Sequence, residues 1–159
     1  MKIECNDQKT FKLSEEDNIL GQIVYKSIFS DKADITLADS GNYTIKPAGV
    51  FTDKIAVLDN GAEIACLKMN WKGHIIIDFA SGEKFIFKTK GTFHCKYVIE
   101  NKEGETLIQY EPHFNWSKFN YNYDVLYNER PSNLLLVLLG AYVANYKIVI
   151  MSGAVIAVV

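Results

Sequence analysis

The sequence predicts an all-β fold, a strand-rich antiparallel barrel or sandwich carrying one strongly apolar helix near its C-terminus. Three observations predict it. Turn signals recur about every eight to twelve residues from Ile19 to Tyr127, the spacing of an all-β sandwich or barrel. Several runs between them alternate apolar and polar residues, as half-buried strands do. After Arg130-Pro131-Ser132-Asn133 the pattern changes to an unbroken apolar run, Leu134 to Ala144.

The turns are Ser40-Gly41-Asn42, Pro47-Ala48-Gly49, Asp59-Asn60-Gly61, Ser81-Gly82, Lys102-Glu103-Gly104 and Glu111-Pro112. Asn60-Gly61 is the sharpest, because a two-residue type I′ hairpin needs positive φ at both central residues and this pair tolerates it. The clearest strand runs from Phe119 to Tyr127. There Phe119, Tyr121, Tyr123, Val125 and Tyr127 form one face, while Asn120, Asn122, Asp124, Leu126 and Asn128 form a mostly polar one. Lys84 to Lys90 sets Phe85 and Phe87 against Lys84, Lys88 and Lys90, with Ile86 as the exception. Further strands are read near 21–28, 34–38, 42–46, 50–58, 62–69, 74–79, 93–100 and 105–111, giving roughly ten or more. A weak repeat accompanies them: Val57-Leu58-Asp59-Asn60-Gly61 leads to Asn70-Trp71, and Val98-Ile99-Glu100-Asn101 leads through Gly104 to Asn115-Trp116.

Ser132 or Asn133 can cap the apolar helix, expected over about 133–146. Being apolar all round, it must be buried or sit in lipid. The run stops at Asn145-Tyr146-Lys147, short of the ~20 residues that cross a bilayer, which favours a core helix. A second apolar run, 148–159, follows at once. It is read as a final strand, while a membrane span joining the two runs stays open, with Lys147 near its centre at a cost of roughly 2.5–3.5 kcal/mol.

The chain has 159 residues, enough for one core, and residues 1–159 are read as a single domain. Hydrophobic residues make up 48% and charged residues 23%, a balance that excludes a disordered chain. The net charge of -2 provides no global basic field, which argues against nucleic-acid binding. Charges at Lys2 and Glu4 interrupt any secretory signal, and Cys5, Cys66 and Cys95 form neither a disulfide framework nor a zinc motif. A cytoplasmic location is expected.

The strand meander with its Asn-Gly hairpin, the segments Asn70-Trp71-Lys72-Gly73 and Asn115-Trp116-Ser117-Lys118-Phe119, and the terminal Leu-rich helix together resemble the tubby C-terminal-like superfamily. The nearest likeness is to its LURP-one-related and scramblase-like branch. The resemblance covers most of the chain and implies a roughly twelve-stranded barrel whose C-terminal helix threads its centre. Leu135, Leu136, Leu138, Leu139, Tyr142 and Val143 would then be the core of the helix, packed against inward faces carrying Phe85, Phe87, Tyr121 and Tyr123. It also implies association with phosphoinositide headgroups or membranes, with binding at the rim or outside because the helix fills the lumen. The residues themselves hold no G-x-S-x-G elbow, P-loop or dinucleotide-binding glycine fingerprint, so a non-catalytic protein is expected. The apolar tail after Lys147 departs from the family pattern.

The residues offer one site for an anionic headgroup. Lys84, Lys88 and Lys90 share a strand face, and an antiparallel neighbour would add Lys96 and His94. Each lysine near a charged bilayer contributes ~1 kcal/mol. The plainer reading is a solvated face whose lysines discourage edge pairing, with Glu83 and Glu100 weakening any patch. Trp71 and Trp116, beside Lys72 and Lys118, suit a membrane interface, but their matched places in the repeat favour core or rim packing. His74, His94 and His113 are scattered and lack a metal motif, so neither metal nor cofactor is expected. Cys95 falls on the face of Phe93, Tyr97 and Ile99 and is expected in the core. Asp59, Glu63, Asp78 and Glu111 would act as acid and base only if folding brought them together.

Three functions follow from this reading. The first is a non-catalytic module for a membrane surface, an anionic lipid or a protein partner. The second is a C-terminally membrane-anchored protein with a cytoplasmic β-domain, and the third an enzyme at the barrel rim.

Overall fold

The computed structural model describes residues 1–28, 30–39, 41–49, 53–92 and 94–156, with side chains described as far as Ile150. Twelve antiparallel strands follow one another around a closed barrel. They are β1 (Lys2–Cys5), β2 (Thr10–Glu15), β3 (Asn18–Tyr25), β4 (Ala33–Leu37), β5 (Asn42–Pro47), β6 (Lys54–Asp59), β7 (Ala62–Met69), β8 (Ile75–Phe79), β9 (Lys84–Lys90), β10 (Lys96–Glu100), β11 (Thr106–Asn115) and β12 (Asn120–Tyr127). Helix α1 (Leu134–Ile156) follows β12. The barrel closes where Lys2 and Ile3 of β1 pair with Asp124 and Tyr123 of β12. A closed barrel has no sheet edge, so the lysines of β9 do not serve as edge guards.

The hairpin at Asn60-Gly61 forms as read, with φ of 48° and 86° at its two central residues. Strands β7 and β9 match their expected bounds, and the predicted stretches at Val50, Phe51, Thr52 and Phe93 lie outside the described residues. Two strands, β1 and β2, were not anticipated. Phe119 is not a strand residue: it holds φ 50° in the turn before β12 and is exposed.

Eight strands give a lumen that side chains alone can fill, while sixteen or more leave a channel. Twelve strands fall between these sizes, and α1 occupies the space. Residues Leu135 to Asn145 of the helix are buried, including every position expected in its core. They pack against Ile3, Phe11, Ile23, Ile35, Ile77, Phe87, Ile99 and Tyr123 of the strands. Phe85 and Tyr121 lie partly buried against the same core. At ~1.5–3 kcal/mol for each large side chain, this burial accounts for a helix without a polar face. Asn133, and not Ser132, caps it: its Oδ1 accepts a hydrogen bond from the Leu136 backbone N–H at 3.0 Å.

Over 148–156 the expected final strand does not form, and 157–159 lie outside the described residues. Asn145-Tyr146-Lys147 is no break, and the helix runs on to Ile156. At 1.5 Å per residue the part beyond Asn145 extends roughly 16 Å past the buried segment. Among the described residues no helix is long and apolar enough to cross a membrane.

Candidate functional site

In an up-and-down meander the loops after odd-numbered strands all lie at one end of the barrel, and those after even-numbered strands at the other. Helix α1 follows β12, so it enters at the second end and leaves at the first. The exit end carries the described residues of the loops between β1 and β2, β3 and β4, β5 and β6, β7 and β8, β9 and β10, and β11 and β12.

Most of the large apolar side chains left in solvent are found there. Trp71 is 89% exposed, Trp116 77% and Phe119 74%, and Ile28, Val149 and Ile150 are exposed beside them. The local cause is legible at the two Asn-Trp pairs. The Oδ1 of Asn70 accepts from the backbone N–H groups of Lys72 and His74 at 2.9 and 3.0 Å. That of Asn115 accepts from the Ser117 N–H at 3.1 Å. Each asparagine so closes its own turn, and the tryptophan that follows is turned out of the barrel. The repeat is therefore a loop motif that recurs at one end. The core reading of Trp71 and Trp116 is overturned, and only their rim position stands. Phe114 packs edge-on against both Trp116 and Tyr121, with centroids 4.9 and 5.1 Å away, and Lys72 lies over the Trp71 ring at 5.1 Å.

Charge follows the same division. The exit end bears Lys9, Lys26, Lys32, Lys72, Lys118 and Lys147, against Asp7, Asp31, Asp53 and Asp34, the last paired with Lys26. Lys147 is partly buried, and loss of water lowers its ammonium pKa. The entry end holds Glu16, Asp17, Asp39, Glu83, Glu103 and Glu105 near Lys102 and Arg130. The barrel is thus polarised along its axis, basic and aromatic where the helix leaves and acidic where it enters.

The lysines singled out in the sequence lie on the barrel wall. The antiparallel pairing expected of them is present, with Lys96 directly opposite Lys90 and Val98 opposite Lys88. Each has a carboxylate partner. Lys84 meets Asp78 at 3.0 Å, Lys96 meets Glu111 at 2.5 Å, and Lys88 and Lys90 share Glu100, the latter at 2.8 Å. Hydrogen bonds from both lysines hold the Glu100 carboxyl below its usual range. This wall is a lattice of opposite charges. His94 is exposed in the 91–95 loop, apart from these pairs.

Cys95 is exposed, because β10 begins only at Lys96 and the alternation does not reach back to it. Its assignment to the core is corrected accordingly. Glu63 pairs with Lys54 at 2.7 Å, so that Glu63, Asp78 and Glu111 each face a lysine and not one another. Asp59 accepts from the Asn60 side chain at 2.9 Å. Among the described residues no three His, Cys, Asp or Glu side chains gather as a metal site.

Around the emerging helix the barrel mouth is lined by tyrosines. Tyr25, Tyr142 and Tyr146 stack in succession, with centroids 5.9 and 6.5 Å apart. The Tyr123 hydroxyl donates to Asn145 Oδ1 at 2.6 Å, Asn145 Nδ2 donates to the Tyr25 hydroxyl at 3.1 Å, and the Tyr142 hydroxyl donates to the Asp31 carbonyl at 2.6 Å. Burial raises the phenol pKa values of Tyr25, Tyr123 and Tyr142, which keeps these donors protonated.

The class defined by this geometry is a twelve-stranded antiparallel barrel plugged by its own C-terminal helix. Comparison of the chain with protein families, with curated proteins and with solved structures finds no match.

Proposed function

We propose that this chain is a non-catalytic, tubby-like barrel that docks peripherally on anionic membrane surfaces through the end at which its helix emerges. One observation carries the reading: Trp71, Trp116 and Phe119 are all exposed at that end, beside Val149 and Ile150 of the helix. Tryptophan rings favour the boundary between headgroups and acyl chains, and neighbouring lysines favour an anionic leaflet. The acidic opposite end would point away from the leaflet, so charge sets one orientation. Large apolar side chains left in water at one end of the barrel, with lysines in the same loops, also mark an interaction surface.

The test is sedimentation with vesicles of phosphatidylcholine alone or with phosphatidylserine, alongside tryptophan fluorescence. The expected result is salt-sensitive binding to the anionic vesicles with a blue-shifted emission, lost in the Trp71→Ala/Trp116→Ala variant. Absence of binding, or equal binding by that variant, overturns the reading. Exposed Val149 and Ile150, followed by an uncharged sequence to Val159, support a second reading in which the helix end itself inserts and anchors the protein. A requirement for detergent to release the full chain, abolished by ending it at Lys147, distinguishes this from peripheral docking.

A further inference from the structure

A cleft of about 280 Å³ opens at the barrel mouth between α1 and the β2–β3 side of the wall. The stacked rings of Tyr25, Tyr142 and Tyr146 line it together with Phe11, Ile148 and Val149. Phe11 meets Tyr25 edge-on at 5.8 Å and is buried behind it. Ile28, Val149 and Ile150, all exposed, lie at its opening.

We propose that this cleft binds a single unbranched acyl chain, with its methyl end against the tyrosine stack and its polar end at the mouth. Three features select that ligand. Two of the three tyrosine hydroxyls that line it already have partners, Tyr25 with Asn145 and Tyr142 with the Asp31 carbonyl. What the wall offers a ligand is therefore mainly flat apolar ring surface, against which a sugar or other polyol would leave most of its hydroxyls unsatisfied. The volume suits one chain. A methylene group occupies about the space of a water molecule, ~30 Å³, so about nine chain carbons fit and a two-tailed lipid does not. The polar residues Gln8, Ser30, Asp31 and Asn120 line the same cleft and give a carboxylate or headgroup a hydrated exit.

The site does not depend on the docking reading, because a monomeric amphiphile reaches it from solution. Titration calorimetry of the full chain with dodecanoate, and with twelve-carbon lysophosphatidylcholine below its micelle concentration, tests it. The expected result is saturable one-to-one binding, with affinity rising roughly three- to fourfold for each methylene added from hexanoate to about nine carbons and levelling off beyond. Binding of both amphiphiles marks the chain as what is recognised, and binding of the lysolipid alone assigns a headgroup contribution as well. Val149→Trp fills the cleft from the helix side and Ser30→Trp from the wall side; either should abolish binding while thermal unfolding stays unchanged. Trp71→Ala/Trp116→Ala, outside this cleft, should lose vesicle binding and keep dodecanoate. Absence of saturable binding, affinity independent of chain length, or undiminished binding by both filling variants overturns the proposal.

Discussion

Tyr110 of β11 donates a hydrogen bond from its hydroxyl to the Val137 carbonyl oxygen of α1, 2.9 Å away inside the barrel. Both residues are fully buried. Gly140, nearly one helical turn further on, makes room for the ring: a Cβ there would lie 2.1 Å from the Tyr110 hydroxyl. Sheet and plug are therefore fitted to each other at a defined register.

Gly140→Ala should destabilise the protein by overpacking, by ~1–3 kcal/mol, and lower Tm by several degrees. Tyr110→Phe removes the nearest clashing atom, so the double variant should be less destabilised than the two single effects summed. A double-mutant cycle from urea unfolding measures this coupling. Simple additivity would mean that the ring and the helix do not meet here.

A chain ending at Asn133 keeps every strand and loses the plug. It should fail to show cooperative thermal unfolding, because the apolar lumen lined by Ile23, Ile35, Phe87 and Ile99 would be left open. A chain ending at Lys147 retains the buried segment and should unfold cooperatively. Circular dichroism of the two chains decides the point.

Asn133→Ala removes the helix cap and should cost ~1 kcal/mol. Ser132→Ala should change stability by less than half that amount. Urea midpoints of the two variants separate the capping roles.

The Glu100 carboxyl, held between Lys88 and Lys90, titrates below its usual 4.5. A carboxylate with a depressed folded pKa stabilises the protein above its unfolded value, and the benefit is lost as pH falls through the folded one. Glu100→Gln should therefore be less stable than the parent at pH 7, by about 1–2 kcal/mol. The gap should narrow as pH drops below about 4.5. Urea unfolding at pH 7, 5 and 3 follows it.

Reversing charge at the exit end should act differently from reversing it on the wall. Lys72→Glu/Lys118→Glu should weaken binding to phosphatidylserine vesicles tenfold or more, at roughly 1 kcal/mol for each lysine. Lys84→Glu/Lys88→Glu, on a wall already paired with Asp78 and Glu100, should change it far less. The reverse ranking would return the binding surface to the wall.

The sequence by itself determined the all-β class, the Asn60-Gly61 hairpin, the alternation of β9 and most of β12, and an apolar helix beginning near Asn133. These are local properties, fixed by permitted dihedral angles and by the period of side chains along a strand. It was silent on β1, whose short Lys2–Cys5 run buries only Ile3 and Cys5, too few positions to register a period. The run 148–159 is apolar apart from Ser152 and shows no amphipathic period, so helix and strand could not be told apart there. Tertiary structure alone decided where the chemistry lies. Trp71 and Trp116 share an end only because antiparallel strands return every second loop to it. The wall lysines lost their apparent availability because Asp78, Glu100 and Glu111 stand opposite or beside them across strands. Both outcomes depend on pairing between segments distant along the chain, which no local pattern encodes.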